Sequence, residues 1–236
     1  MALTPKDNEA FYREVDEELR RDQVNRAMRR YGVVAGILIL LFLAAVGGYL
    51  WWQQQKEAQA SEQAEKLNGV FEDIGAGRTS GIDARLDAVA GKGGAGYRAA
   101  ALLTKADLAV QAGNDAAAIA GFMAVAQDED FARPYRDLAL IRQTALEFDT
   151  LAPAAVIERL KPMAVAGNPW FGSAGEMVAI AHLKQQKPEL AGPIFAAMAK
   201  DESVPRSIRS RAREMAGSLG IDAVDERTGA SARKGQ

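Results

Sequence analysis

The chain contains no cysteine and one histidine among its 236 residues. The first absence removes disulfides, thiolate-ligated zinc and thiol catalysis together. The second leaves His182 unable to form a two-histidine metal site. Aromatic residues make up only 7%. No stretch alternates apolar and polar residues long enough to define a strand, and β-branched runs are scarce. Neither sign of charge dominates: the formal net charge is -2, which argues against a nucleic-acid partner. No P-loop or calcium-loop spacing occurs. The glycines of Gly91–Gly96 lack the Gly-Lys-Ser/Thr ending of a phosphate loop and read as a turn. Asp128, Glu129 and Asp130 read as a solvated helix end, and His182 as a partly exposed helix residue. Catalytic, cofactor-binding and metal-ligating residues, and a small-molecule substrate, are therefore not expected.

One segment does lack charge entirely. Between Arg30 and Lys56 there is no Asp, Glu, Lys or Arg, and Val33–Leu50 is almost wholly apolar. A helix over the 22 residues 31–52 would be about 33 Å long, against a hydrocarbon core of about 30 Å. Tyr31 at one end and Tyr49, Trp51 and Trp52 at the other suit the headgroup layers, where amphipathic rings collect. Thirty polar residues precede the run and no small-residue cleavage site follows it, so a membrane span fits better than a signal peptide. Arg20, Arg21, Arg26, Arg29 and Arg30 crowd the N-terminal flank, while only Lys56 and Lys66 lie comparably near on the other. This asymmetry predicts a single-pass protein with residues 1–30 cytoplasmic and 53–236 on the far side. The arm carries a narrow stripe, Phe11, Val15 and Leu19, at four-residue spacing. Gly32 and Gly36, and Ala44 and Gly48, have the spacing of small-residue helix contacts.

Beyond the span, apolar residues recur at intervals of three and four, predicting an all-α domain. A triplet of apolar residues with steps of four and three returns as Ile82–Leu86–Val89, Ala118–Phe122–Val125, Val156–Leu160–Met163 and Ala191–Phe195–Met198. The copies are 36, 38 and 35 residues apart, close to the tetratricopeptide period of about 34. A small residue in such a triplet lets two helices approach, and the bulky one a turn later fills the gap beside it. The turn signals divide the domain into helices 58–74, 80–90, 97–112 and 116–127, with Asp115 as an N-cap. Further helices begin at Pro134, near Pro153 and after Gly167-Asn168-Pro169. Lys187-Pro188 divides the fourth pair, and Pro205 starts a last helix that would cap the stack. Pro162 should kink or shorten helix 154–165, and Pro193 should lie in a helix's first turn. Residues 223–236 read as a disordered polar tail. The expected organisation is thus a cytoplasmic arm (1–30), a transmembrane helix (31–52), an α-solenoid of tetratricopeptide-like helix pairs (53–222) and the tail. In the repeat phase, Asp107, Gln111, Glu176 and Lys184 would line a partner groove on the first helices of the pairs.

The order of these parts resembles the YfgM-like family of ancillary Sec translocon subunits in its alphaproteobacterial form. The resemblance rests on the arm Phe11–Arg21 (FYREVDEELRR), on Arg30-Tyr31-Gly32, on the single span ending in Tyr49, Trp51 and Trp52, and on the Gln/Glu/Ala-rich helix leading into degenerate helix pairs. It implies a bacterial inner-membrane protein with a periplasmic helical domain. It also implies protein partners near the Sec channel: translocon subunits, periplasmic chaperones or exported chains. Alternatives of another kind are a membrane-bound regulator of the anti-sigma type and a scaffold for envelope or cytochrome assembly; an enzyme is not expected.

Overall fold

The structure is a computed structural model that describes residues 5–222, with side chains described at Arg30, at 32–34 and from 36 onward. The tail at 223–236, the Tyr31 side chain and the stripe Phe11, Val15 and Leu19 lie outside the described side chains. The described residues form helices and no strand. In order these are α1 (Pro5–Gly75), α2 (Ile82–Lys92), α3 (Ala95–Gln111), α4 (Asp115–Gln127), α5 (Arg133–Leu146), α6 (Pro153–Leu160), α7 (Phe171–Lys184), α8 (Pro188–Lys200) and α9 (Arg206–Ser218). The chain divides into two compact units, Met1–Ser61 and Glu62–Gln236.

The first unit holds most of α1. The transmembrane helix at 31–52 and the helix at 58–74, expected as separate elements, instead belong to one helix of 71 residues that begins in the arm. The reason is local. Between Trp52 and Asn68 the sequence contains neither glycine nor proline, and Gln, Lys, Glu and Ala all favour helix. The helix stops only at Gly75-Ala76-Gly77, where Gly77 takes a φ of 72°, a left-handed conformation open to glycine at little cost. The stretch beginning at Gly32 makes α1 the one helix among the described residues long and apolar enough to cross a membrane. Its large side chains, from Val33 to Trp52, are exposed on all sides. At the far end Tyr49 and Trp52 lie 6.4 Å apart in a tilted arrangement, and the Lys56 ammonium sits 3.6 Å over the Trp52 ring. A cation and an indole stacked this way keep one polar end and one apolar body together.

The second unit is built from helix pairs. All twelve triplet residues are buried, and each triplet belongs to a different apolar cluster along the chain. Leu67 and Val70 of α1 join Ile82, Leu86 and Val89 in the first. Phe122 centres the second with Ala99, Ala106 and Phe131. In the third, whose triplet lacks both the small residue and the aromatic, Phe148 and Trp170 pack against the cluster that holds Val156, Leu160 and Met163. In the last, Phe195 and Met198 meet Ala212 and Ala216 of α9, so α9 closes the stack. Close approach is visible at Gly121: a Cβ there would lie 3.0 Å from the Ala106 Cβ, so α4 crosses α3 at a position where only glycine fits without displacement. Gly192 of α8 plays the same part for Ile221, whose Cδ1 occupies the space a Cβ would need.

Three local expectations are corrected or refined. The cap of α4 is Asn114, not Asp115: its side-chain oxygen accepts from the Ala117 N–H at 3.1 Å. The turn at Gly113 (φ 71°) brings the chain into helix one residue earlier, and Asp115 falls in the first turn, where its charge faces the positive helix end. Replacing Asn114 by alanine is therefore expected to lower stability by about 1 kcal/mol, read as a shift of the urea midpoint; Asp115→Ala should cost less. Pro193 lies inside α8, not in its first turn. It is on the exposed side of the helix, where water can satisfy the Glu189 carbonyl that loses its donor; the first-turn position belongs to Pro188. Pro162 shortens its helix: α6 ends at Leu160, and Met163 returns an N–H to the Leu160 carbonyl in a tight turn.

Candidate partner-binding surface

The odd-numbered helices of the second unit touch one another in sequence, α3 on α5, α5 on α7 and α7 on α9; the even-numbered ones make no contact of similar extent among the described residues. The side on which successive helices converge is the inner side of a stacked array. Here the structure places three of the four expected groove residues, each in an ion pair that bridges neighbouring odd helices or the loop after one. Asp107 of α3 accepts from Arg142 of α5 at 2.7 Å. Lys184 of α7 donates to Asp149, just after α5, at 3.0 Å, and its ammonium lies 4.2 Å from the centre of the Phe148 ring. Glu176 of α7 receives a two-pronged bond from Arg211 of α9, both contacts at 2.6 Å. Gln111, the last residue of α3, is exposed and joins none of these pairs.

The partners Arg142, Asp149 and Arg211 were not picked out from the sequence. Each stands 35 residues from its counterpart, one repeat period, so a scan for opposite charges separated by that period would have found them. A second, more enclosed cluster ties α6 to the end of α5: Arg159 binds Glu147, whose carboxylate also accepts from Gln143. Exposed ion pairs contribute at most about 1 kcal/mol each. The inner pairs therefore add little to stability, and they cover the face with charge where an apolar lining would pack as well.

The electrostatics differ from pair to pair. Burial pushes the Asp107 carboxyl above the ordinary aspartate range, and Arg142 only partly offsets it. Arg211 is held above its usual range by its bond to Glu176. His182 of α7 is pulled below the ordinary histidine range by burial first and by Lys187 second; its Nδ1 is buried with no hydrogen-bond partner. A histidine lowered on folding is more easily protonated in the unfolded chain. Its contribution to stability is therefore complete above the unfolded value of about 6.5 and is lost as pH falls below it. The thermal midpoint should drop between pH 7.5 and pH 5.5, and His182→Gln should flatten that slope; an unchanged slope would show that other groups govern this window.

No group of three His, Asp or Glu side chains able to hold a metal ion occurs among the described residues. A cleft of about 380 Å³ opens where Leu102 and Ala109 of α3 meet Ala117 and Gly121 of α4, with Ala112 and Asn114 of the intervening turn also lining it. Leucines and small side chains make up most of its wall, and Asp83 and Lys105 are its two charged lining residues. At the C-terminal end of the apolar stretch within α1, Tyr49, Trp51 and Trp52 are exposed. A family model described as a tetratricopeptide repeat-like domain matches residues 28–202, from before the apolar segment to the end of α8. No curated protein sequence and no solved structure matches the chain.

Proposed function

We propose, from the premise that this chain belongs to the tetratricopeptide repeat-like domain family, that it is a non-enzymatic, membrane-tethered protein-interaction module serving as an accessory of a protein-export channel. The family is one of protein-interaction modules, and stacked helix pairs present an extended inner surface to a partner. The observation that carries the reading is the inner face itself, where a row of paired charges runs from α3 to α9. The tether rests on the apolar stretch of α1, and its orientation on the arginines before it, with the arm at 1–30 cytoplasmic and 53–222 in the periplasm. Tyr31, Tyr49, Trp51 and Trp52 would mark the membrane boundaries. The resemblance of arm, span and repeats to the YfgM-like subunits supports the Sec translocon as the site of action, with chaperones or exported chains as clients of the helical domain.

Photo-crosslinking in intact membranes tests this reading. Probes at Leu19 and Ile39 should capture Sec subunits, and probes at Asp107 and Lys184 should capture chaperones or exported chains. Adducts with envelope or cytochrome assembly factors would redirect the reading to an assembly scaffold. Capture of a transcription factor at Leu19 alone would point to a membrane-bound regulator.

A further inference from the structure

We propose that the outward side of α4 is a docking surface for an amphipathic helix of a partner protein, one with an apolar face and a lysine or arginine near each end. This surface lies apart from the paired charges of the inner face, so either reading can fail without the other.

α4 carries a single charged residue, Asp115, in 13 positions. The other even helices, α2, α6 and α8, carry at least two each. A helix that is apolar on every side is ordinarily buried on every side. α4 is not. Ala118, Phe122 and Val125 fill the second cluster, while Ala116, Ala117, Ala120, Met123 and Ala124 are exposed. These five share one side of the helix, because residues three, four and seven apart lie on one face. The polar residue on that side is Gln127, in the last turn.

The neighbouring even helix leaves this side open. α2 and α4 do not pair closely, and the cleft opens where they part. Asp83 stands on the α2 side, Ala117 and Gly121 on the α4 side, and Leu102, Lys105 and Ala109 of α3 lie between. At about 380 Å³ it has room for a bulky apolar side chain. Beside it the alanines form a shallow strip that a second helix can approach to about 8 Å between axes. Met123 is the one large side chain on the strip, and its unbranched thioether adapts to what it meets. An apolar helix face with one anchor in a cleft is a recurrent mode of helix recognition.

Charge selects the occupant. Asp83, on the rim near the start of α4, joins no ion pair among the described residues, whereas the other rim charge, Lys105, is already held by Asp87 at 2.6 Å. At the far end, Asp128, Glu129 and Asp130 follow α4 in succession. Arg98 lies 3.9 Å from Asp128, and Glu129 and Asp130 remain exposed. Both ends of the strip are therefore negative. The 13 residues of α4 span about 20 Å, so the partner's basic residues belong three to four turns apart with the apolar face between them. The same acids disfavour a second copy: two α4 helices laid side by side, in either direction, bring acid to acid at both ends. The chain's own tail, 223–236, has Val224 as its only large apolar residue and cannot supply the apolar face.

The full chain in zwitterionic nanodiscs would be titrated with three labelled helical peptides, each carrying a photo-crosslinker. One has a Leu/Ala face and a lysine near each end. The second has the same face with glutamates at the ends, and the third keeps the lysines but has glutamine on the face. Empty nanodiscs give the lipid background. The first peptide should bind about tenfold more tightly than the others and crosslink to α4 and the cleft. Ala120→Arg, and separately Met123→Arg, should each weaken it about tenfold by placing a charge against the apolar face, with melting curves unchanged because both positions are exposed. Asp83→Asn, Glu129→Gln and Asp130→Asn together should weaken it about three- to tenfold and erase its advantage over the glutamate-ended peptide. Arg142→Ala, on the inner face, should leave binding unchanged. Equal affinity for the three peptides, or binding indifferent to both Ala120→Arg and Met123→Arg, would overturn the inference. So would α4-to-α4 crosslinks between copies in the absence of peptide, which would make a second copy the occupant. The inner face is reported separately, by the membrane crosslinks at Asp107 and Lys184.

Discussion

Phe122→Ala is expected to destabilise the helical unit by about 3–5 kcal/mol, the largest single-residue effect in this unit. Phe122 is the bulky member of its triplet and is 1% exposed. Its ring fills the space left where α4 crosses α3 at Gly121 and Ala106, and Ala99, Val125 and Phe131 surround it. Alanine would remove most of those contacts. The cavity could not collapse readily, because the helices are already as close as Gly121 allows. In a stacked array each pair leans only on its neighbours, so the loss should separate one cooperative transition into two. Urea unfolding of the detergent-solubilised chain, followed by far-ultraviolet circular dichroism, would show a lower midpoint and a shallower curve. Phe122→Leu should retain most of the stability. Met123→Ala makes a suitable control, since Met123 is its exposed neighbour on the same helix. A shift of less than about 1 kcal/mol for Phe122→Ala would mean that the second cluster is not the close-packed core described above.

Placing arginine at both Leu40 and Leu43 is the second large effect. Each residue lies in the middle of the uncharged segment, and each is exposed on α1. A charged residue at the centre of an inserted helix costs about 2.5–3.5 kcal/mol, and two of them, with two leucines lost, should cancel most of the insertion free energy. The double variant is expected to leave the membrane pellet on alkaline extraction, while Leu40→Ile with Leu43→Ile stays in it. The lack of native cysteine makes a direct orientation test clean. A single cysteine at Ser203, an exposed position, should react with an impermeant maleimide added outside spheroplasts. Labelling only after lysis would reverse the orientation argued from the arginines. Retention of the double-arginine variant in the extracted pellet would show that something other than this segment holds the chain to the membrane.

Much of the fold is legible in the residues themselves, because its determinants are local. An uncharged, apolar run long enough to cross a bilayer is apparent at a glance. Helices announce themselves through apolar steps of three and four, and the recurring triplets mark the same buried seam in every pair. Pro162 had to end its helix early, since a ring without an N–H cannot continue the ladder of bonds. The candidate surface was half legible. The repeat phase pointed to Asp107, Glu176 and Lys184, but not to their partners.

What tertiary structure decided are matters of competition and of distance. Whether α1 breaks after Trp52 depended on the sum of weak preferences over residues 53–68, none of which is a stop signal. Whether Asn114 or Asp115 caps α4 was settled by the conformation of Gly113, which sets the residue at which the helix begins. The ion pairs join residues 35 positions apart, and such a pair forms only when two helices, each with its own rotation, pack with the charged edges facing. Sequence by itself determined which residues must be buried, because burial follows from hydrophobicity repeated at the helical period. Only the packed helices decided which charges meet, because that depends on the angle and spacing at which each pair settles against the next.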